Sequence, residues 1–357
     1  MNGILENGYR FLYEHGAPVL KNEAAMALGL STGGLRDEML RHPQVQYWLE
    51  RLAHFMEKPA IHNAADECFE NIMHKLLSLG VREGDHPLLS ECSHGLIQYM
   101  KEHEGDLRFY DTINPAILCG WLTHMGHGED IVCRLILQRI EAVYGFVKEG
   151  SYEIYVDTKG YPPIPAARAG HPLVNPTLYE GNVWKLPTVH DMFLYACLPQ
   201  PLQGGLILPG KIDTIIGYIL DRRYQRLHTG YGLMHVKPNK YYGMGWSVHL
   251  SGYEESGSLP LREGTVWAME LMSHFPRARK SEWFLRMLAH LEQFGENGVY
   301  EFPPEYISEA KNKYFVGGGH MGLGEDRKKK LSRKLESTAW MMRILSHCEQ
   351  DEAPASH

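Results

Sequence analysis

The feature that most constrains this chain is the return of apolar residues at intervals of three and four, sustained along most of its length. Between Asp130 and Lys148 the residues Ile131, Leu135, Ile136, Ile140, Val143 and Phe146 mark one stripe. That spacing predicts an amphipathic helix with the stripe buried. The same period predicts helices over about Val45–Glu57, Ala64–Leu79, Pro87–Glu102, Asn114–Met125, Val189–Cys197, Lys211–Leu227, Glu263–Phe275, Ser281–Phe294, Pro304–Asn312 and Leu331–His347. Shorter helices precede residue 60, and strand alternation is scarce. A chain of this pattern buries its stripes helix against helix, which makes the expected fold class all-α.

The predicted helices are punctuated as helices should be. Gly80, Gly105, Gly126 and Gly150 follow apolar runs, where a glycine closes a helix C-terminus. Pro87, Pro187 and Pro304 stand where helices begin. Ser281, just ahead of Trp283 and Phe284, is placed to cap an N-terminus. Two turns repeat: LLSLGVREGDHPL at 76–88 and WLTHMGHGEDIVCRL at 121–135, with Gly80 and Gly126 separated by one helical hairpin. Repeated hairpins stack into a solenoid or close into a ring.

Helix, Leu-Gly, short aspartate-bearing turn and helix resembles the squalene-cyclase and prenyltransferase-like repeat family. WFLRMLAHLEQFGENGVYEF at 283–302 is similar to that family's helix, glycine turn and aromatic, and LESTAWMMRIL at 335–345 to its last inner helix. The resemblance covers about residues 40–150 and 260–348. It implies an α/α toroid over 1–357, one domain in which inner helices line a cavity. The chain carries neither an Asp-x-Asp-Asp motif, an aspartate-rich pyrophosphate motif nor a true Gln-Trp repeat. The family's isoprenoid chemistry therefore does not transfer residue by residue.

Three stretches break the helical period: 151–186, 228–261 and 315–326. Long loops in compact domains are usually functional, and the sequence reading sets these three over the mouth of the cavity. The densest in chemistry lies after residue 227, HTGYGLMHVKPNKYYGMGWSVHLSGYEE, rich in tyrosine, histidine and glycine. Aromatic rings stack on sugars or shield cations, and imidazoles transfer protons near neutral pH. The expected catalytic residues are Asp191, His235, His249 and Tyr231. The expected substrate contacts are Trp184, His190, His228, Tyr241, Trp246, Tyr253, Arg168 and His320. Asp191 and His190 would stand in the first turn of a helix begun by Pro187 and Thr188. Arg168 would clamp an anion, and His320 sits in VGGGHMGLGED. The histidine spacings do not match H-x-x-x-H, so no metal and no cofactor is expected. The serines form no G-x-S-x-G turn, and Cys92 with His94 falls inside a helical pattern.

Composition narrows the classes. A net charge of -7, with the only basic run at Arg327–Lys330, disfavours a nucleic-acid partner. Six cysteines without C-x-x-C spacing read as free thiols of a reducing compartment. The N-terminal residues carry charges and no apolar core, and no run of eighteen apolar residues occurs, so the expectation is a cytoplasmic protein without a membrane span. The expected function is an enzyme doing general acid/base chemistry on a cyclic or polycyclic, partly apolar small molecule, in the manner of terpenoid cyclisation or isomerisation. The alternatives are a carbohydrate hydrolase or lyase and a non-catalytic small-molecule binder.

Overall fold

The computed structural model describes residues 3–58, 60–111, 114–205, 207–237, 240–253 and 263–349. The chain is mostly helical, as its periodicity requires. Helix Pro87–Glu102 has both predicted ends, and helix Asp130–Val147 buries Ile131, Leu135, Ile136, Ile140 and Val143. Ser281 caps its helix by accepting from Phe284 N at 3.1 Å. Among the described residues no helix is long and apolar enough to cross a membrane. All six cysteines are free.

Where helices fall short of the pattern, side chains have competed with the backbone. The segment expected to start at Ala64 becomes helix Phe69–Ser78. Asn63 Oδ1 turns the chain by accepting from Ala65 N at 2.7 Å, and Phe69 N bonds back to Ala60 O. The run expected over Lys211–Leu227 splits into Ile207–Leu220 and Arg222–Gln225, because the Asp221 carboxylate accepts from Arg223 N and starts a new helix. Of the helix expected over Pro304–Asn312, only a 3₁₀ turn at Pro304–Ile307 forms.

The two matching turns close their helices in the same way, and the turn at Gly29, which lacks the aspartate, shares that closure. At Gly80 and Gly126 the glycine N–H bonds to the carbonyl three residues back and the next N–H to the carbonyl five back, which is the Schellman closure. Gly29 does the same, with Gly29 N to Met26 O and Leu30 N to Ala25 O. All three glycines have positive φ, at 67°, 82° and 95° in chain order.

The sequence reading treats 1–357 as one domain. Backbone contacts group the chain into two compact units, Met1–Gly95 with Glu254–His357, and Leu96–Tyr253. In the first, helix Ser332–Glu349 packs against helices Gly3–His15 and Thr265–Ser273. Helix Pro43–Glu57 packs against Phe69–Ser78. Trp340, Phe284, Phe302, Tyr306 and Phe315 are fully buried there. Lys75, also fully buried, is satisfied by Gly322 O at 2.6 Å and Glu309 Oε1 at 3.0 Å.

In the second unit helix Pro115–His124 packs against Val189–Tyr195 and Asp130–Val147, and Asp130–Val147 against Ile207–Leu220. The stretches 151–186 and 228–261, expected to be irregular, build one small sheet within this unit. Its strands are β1 (Tyr155–Val156), β2 (Leu173–Val174), β3 (Leu233–Lys237) and β4 (Lys240–Gly243), in that spatial order. β1 and β2 are antiparallel, β2 runs parallel to β3 at Leu173–Leu233, and β3 and β4 are antiparallel with His235 opposite Tyr241. Leu173, Leu233 and Tyr241 form its buried face, with Val156, Tyr161 and Ile164 packed against them. Residues 238–239 and 254–261 of the second stretch lie outside the described residues.

Candidate active site

Eleven of the twelve expected site residues belong to the second unit, and they differ in how fully their polar atoms are already bonded. Asp191 is framework. Arg139 donates to it through Nε at 2.6 Å and Nη2 at 2.7 Å. Thr188 N and Oγ1 donate to Oδ2 at 2.7 and 2.8 Å, closing a capping box on helix Val189–Tyr195. The guanidinium also reaches the carbonyls of Trp184 and Leu186, the latter at 2.8 Å. Both carboxylate oxygens are thus spent on holding the 184–191 segment to helix Asp130–Val147.

Tyr231 is also committed. Its hydroxyl donates to the Pro187 carbonyl. A donating hydroxyl that is also bonded to a second hydroxyl must accept from it, so Tyr224 Oη, 2.6 Å away, donates to Tyr231. Tyr224 in turn accepts from Val248 N at 3.0 Å. Burial raises the pKa of both phenols and keeps them neutral.

Tyr241 donates to Pro162 O at 2.5 Å and Tyr253 to Leu220 O at 2.8 Å, which ties loop to sheet and helix. Trp184 is fully buried between Tyr179 and Tyr231. His190 is buried with its ring edge-on to Trp246, 5.1 Å between centroids.

Several of the buried polar atoms left over belong to expected site residues. His235 Nε2, His228 Nδ1 and Arg168 Nη1 are buried without a hydrogen-bond partner among the described residues. His235 lies between Tyr161 and Tyr241, at ring distances of 5.6 and 5.2 Å, and His228 meets the ring of His171 at 4.9 Å. His320 belongs to the first unit, where Nε2 bonds to Lys313 O at 2.6 Å and the ring meets Trp48 edge-on.

His249 is the residue whose bonds assign a chemical state. Its Nε2 lies 2.9 Å from Leu227 O. A carbonyl only accepts, so Nε2 carries the proton. Burial, the largest influence, lowers the imidazole's pKa, and the neutral ring keeps its lone pair on Nδ1. Ser247 Oγ is 2.7 Å from that nitrogen and therefore donates to it, while accepting from Gly230 N at 2.7 Å. The serine follows a tight turn with both Gly245 and Trp246 at positive φ, 68° and 63°. A non-glycine residue in that region is strained, and such strain collects at functional turns. The arrangement is a hydroxyl, a neutral base to receive its proton, and a backbone carbonyl fixing the base's tautomer.

Ser247 is absent from the sequence expectation. Its turn reads Gly-Trp-Ser-Val-His, so a search for G-x-S-x-G passes over it. The Ser-x-His spacing two residues apart is the local signal that points to it. No family model, curated protein or solved structure matches the chain.

Proposed function

We propose that the chain is an enzyme that uses Ser247 as nucleophile and His249 as its general base, on a cyclic, partly apolar small molecule bound beside the aromatic sheet of the second unit. The observation that carries this reading is the Ser247–His249–Leu227 series of hydrogen bonds, in which the serine proton already points at a neutral imidazole. The reaction class that such a pair performs is acyl transfer, here hydrolysis of an ester. Ser247 Oγ attacks the acyl carbon as its proton passes to His249 Nδ1. The imidazolium returns that proton to the departing alcohol, and water then releases the acid by the same base. His235 and Tyr161 offer a polar edge and a ring face to the substrate, and Arg168 suits an anionic substituent.

The toroid remains part of this proposal, supported by the three matching helix closures at Gly29, Gly80 and Gly126. Terpenoid cyclisation, which the family resemblance implies, calls for a free carboxylic acid. Asp191 does not offer one, since Arg139 and Thr188 take both its oxygens. The reading therefore moves from terpenoid cyclisation to ester hydrolysis, which is neither the terpenoid expectation nor the carbohydrate-active alternative.

A fluorophosphonate probe tests this without knowledge of the substrate. It should label the folded protein once, on the peptide containing Ser247. Ser247→Ala should remove the label and His249→Gln should slow it by about 10²-fold or more, the lower range for a general base. Labelling that stays at wild-type rate in Ser247→Ala defeats the enzyme reading and leaves the non-catalytic binder.

A further inference from the structure

We infer that the first unit holds a divalent transition-metal site formed by Glu270, His274 and His347. One carboxylate oxygen of Glu270 and one ring nitrogen of each histidine lie within 4.8 Å of one another. Atoms that close can share one ion with little movement, since zinc sits about 2.0–2.2 Å from nitrogen and oxygen ligands. The set is built by the backbone. Glu270 and His274 are four residues apart on helix Thr265–Ser273 and its C-cap, hence on one face. His347 comes from the facing turn of helix Ser332–Glu349, which packs against it. The two imidazole rings are 3.9 Å apart between centroids, and the Glu270 and His274 side chains keep about a fifth of their surface exposed, 20% and 23%, so an ion has a way in.

The hydrogen bonds around the trio also prepare it. Ser273 Oγ donates its only proton to Glu270 O at 2.5 Å. It must therefore accept from His347 Nδ1, 2.8 Å away. That fixes the tautomer of His347 and leaves the lone pair on Nε2, the arrangement in which a metal-binding histidine is oriented through its second nitrogen. His274 Nε2 lies 3.2 Å from Glu270 Oε1 and donates to it. Metal binding replaces this bond as the imidazole proton moves to the other ring nitrogen. Arg279 and Arg343 are cations that would oppose an ion here; Arg279 Nη1 is bonded to Ser273 O at 2.6 Å, and Glu23 neutralises Arg343 through two bonds of 2.8 and 2.7 Å. Two imidazoles and one carboxylate, with coordination positions left open, suit Zn²⁺ or Fe²⁺ rather than Ca²⁺ or Mg²⁺.

The test is a titration of the chelator-stripped, full-length protein with Co²⁺, followed by displacement with Zn²⁺. One Co²⁺ per chain should give the visible absorption of a coordinated ion, and Zn²⁺ should remove it. His274→Ala and His347→Ala should weaken binding at least 10-fold, as should the milder Glu270→Gln and His347→Gln, which carry the test if either alanine variant fails to fold. Ser273→Ala keeps all three ligands and should weaken binding by roughly 10-fold, the lower range for loss of a residue that orients a ligand. His290→Ala, outside the trio, should change nothing. Absence of the Co²⁺ absorption in the wild-type protein, or wild-type affinity in both glutamine variants, overturns the site.

Discussion

Arg139 and Asp191 face each other across the second unit, joined by two hydrogen bonds of 2.6 and 2.7 Å, with both side chains almost completely buried. Removing one partner of a buried pair leaves an uncompensated charge, which typically costs about 3–5 kcal/mol. Asp191→Ala also loses the acceptor for Thr188 N and Oγ1. It should therefore be the worse single variant, with Arg139→Met close behind. The double variant should lose clearly less than the two single losses combined, because neither charge is then stranded. Urea unfolding of the four proteins measures this. Simple additivity would show that the two groups do not depend on each other.

The sheet rests on one glycine. Gly232 has φ 119°, and a Cβ placed there would lie within 2.3 Å of the Pro172 carbonyl, the same oxygen that accepts from Leu233 N to join β2 to β3. Gly232→Ala therefore pays backbone strain and a clash that no rotamer relieves, with an expected loss of about 3 kcal/mol, the upper range for such positions. Gly243 pairs with Leu233 in the same sheet but has open space around it and no positive φ. Gly243→Ala should stay within about 1 kcal/mol of wild type. Thermal melts of the pair distinguish the two positions, and equal losses would refute the role given to the Pro172 contact.

Acid should unfold the protein earlier than its carboxylates alone would require. His74, His249 and His320 all have their pKa lowered, in each case chiefly by burial. Below about pH 6.5, the ordinary histidine value, the unfolded chain takes up protons that the folded chain refuses. The unfolded state then binds more protons, so stability is full above that pH and falls as pH drops through it toward the folded values. Urea midpoints measured from pH 8 to pH 5 should decline, and His74→Phe, which removes one such group where the ring already stacks on Phe315, should flatten the decline. A flat profile in the wild-type protein would contradict the burial of these rings.

Helices were legible in the sequence because their signals are local. The stripe of helix Asp130–Val147 and the proline and capping residues at Pro87 and Ser281 lie within a turn or two of what they control. The sheet was not legible, for the opposite reason. β1 and β2 have two residues each, too few to show alternation, and β2 meets β3 across sixty residues of sequence, Leu173 to Leu233. The site was legible as a region and only partly as a mechanism. Aromatic and histidine density points to the stretch after residue 227, which holds both members of the proposed Ser247–His249 pair. What separates His249 from Tyr231 and Asp191 is which atoms already have partners, and partners such as Leu227 O, Pro187 O and Arg139 come from distant parts of the chain.

The state assigned to His249 fixes how the proposed chemistry responds to pH. Its lone pair on Nδ1 receives the Ser247 proton only while the ring is neutral. Burial lowers its pKa below the ordinary 6.5, and nearby His228 lowers it further, against the bond to Leu227 O, which raises it. Protonation therefore sets in only below pH 6.5. The rate of fluorophosphonate labelling should be constant from pH 8 down to about that value and then fall ten-fold per pH unit once below the histidine's pKa. Leu227 contributes a backbone atom, so no substitution there removes the acceptor. A labelling rate that keeps rising above pH 7.5 would mean that some other group receives the serine proton, and His249 would lose its place as base.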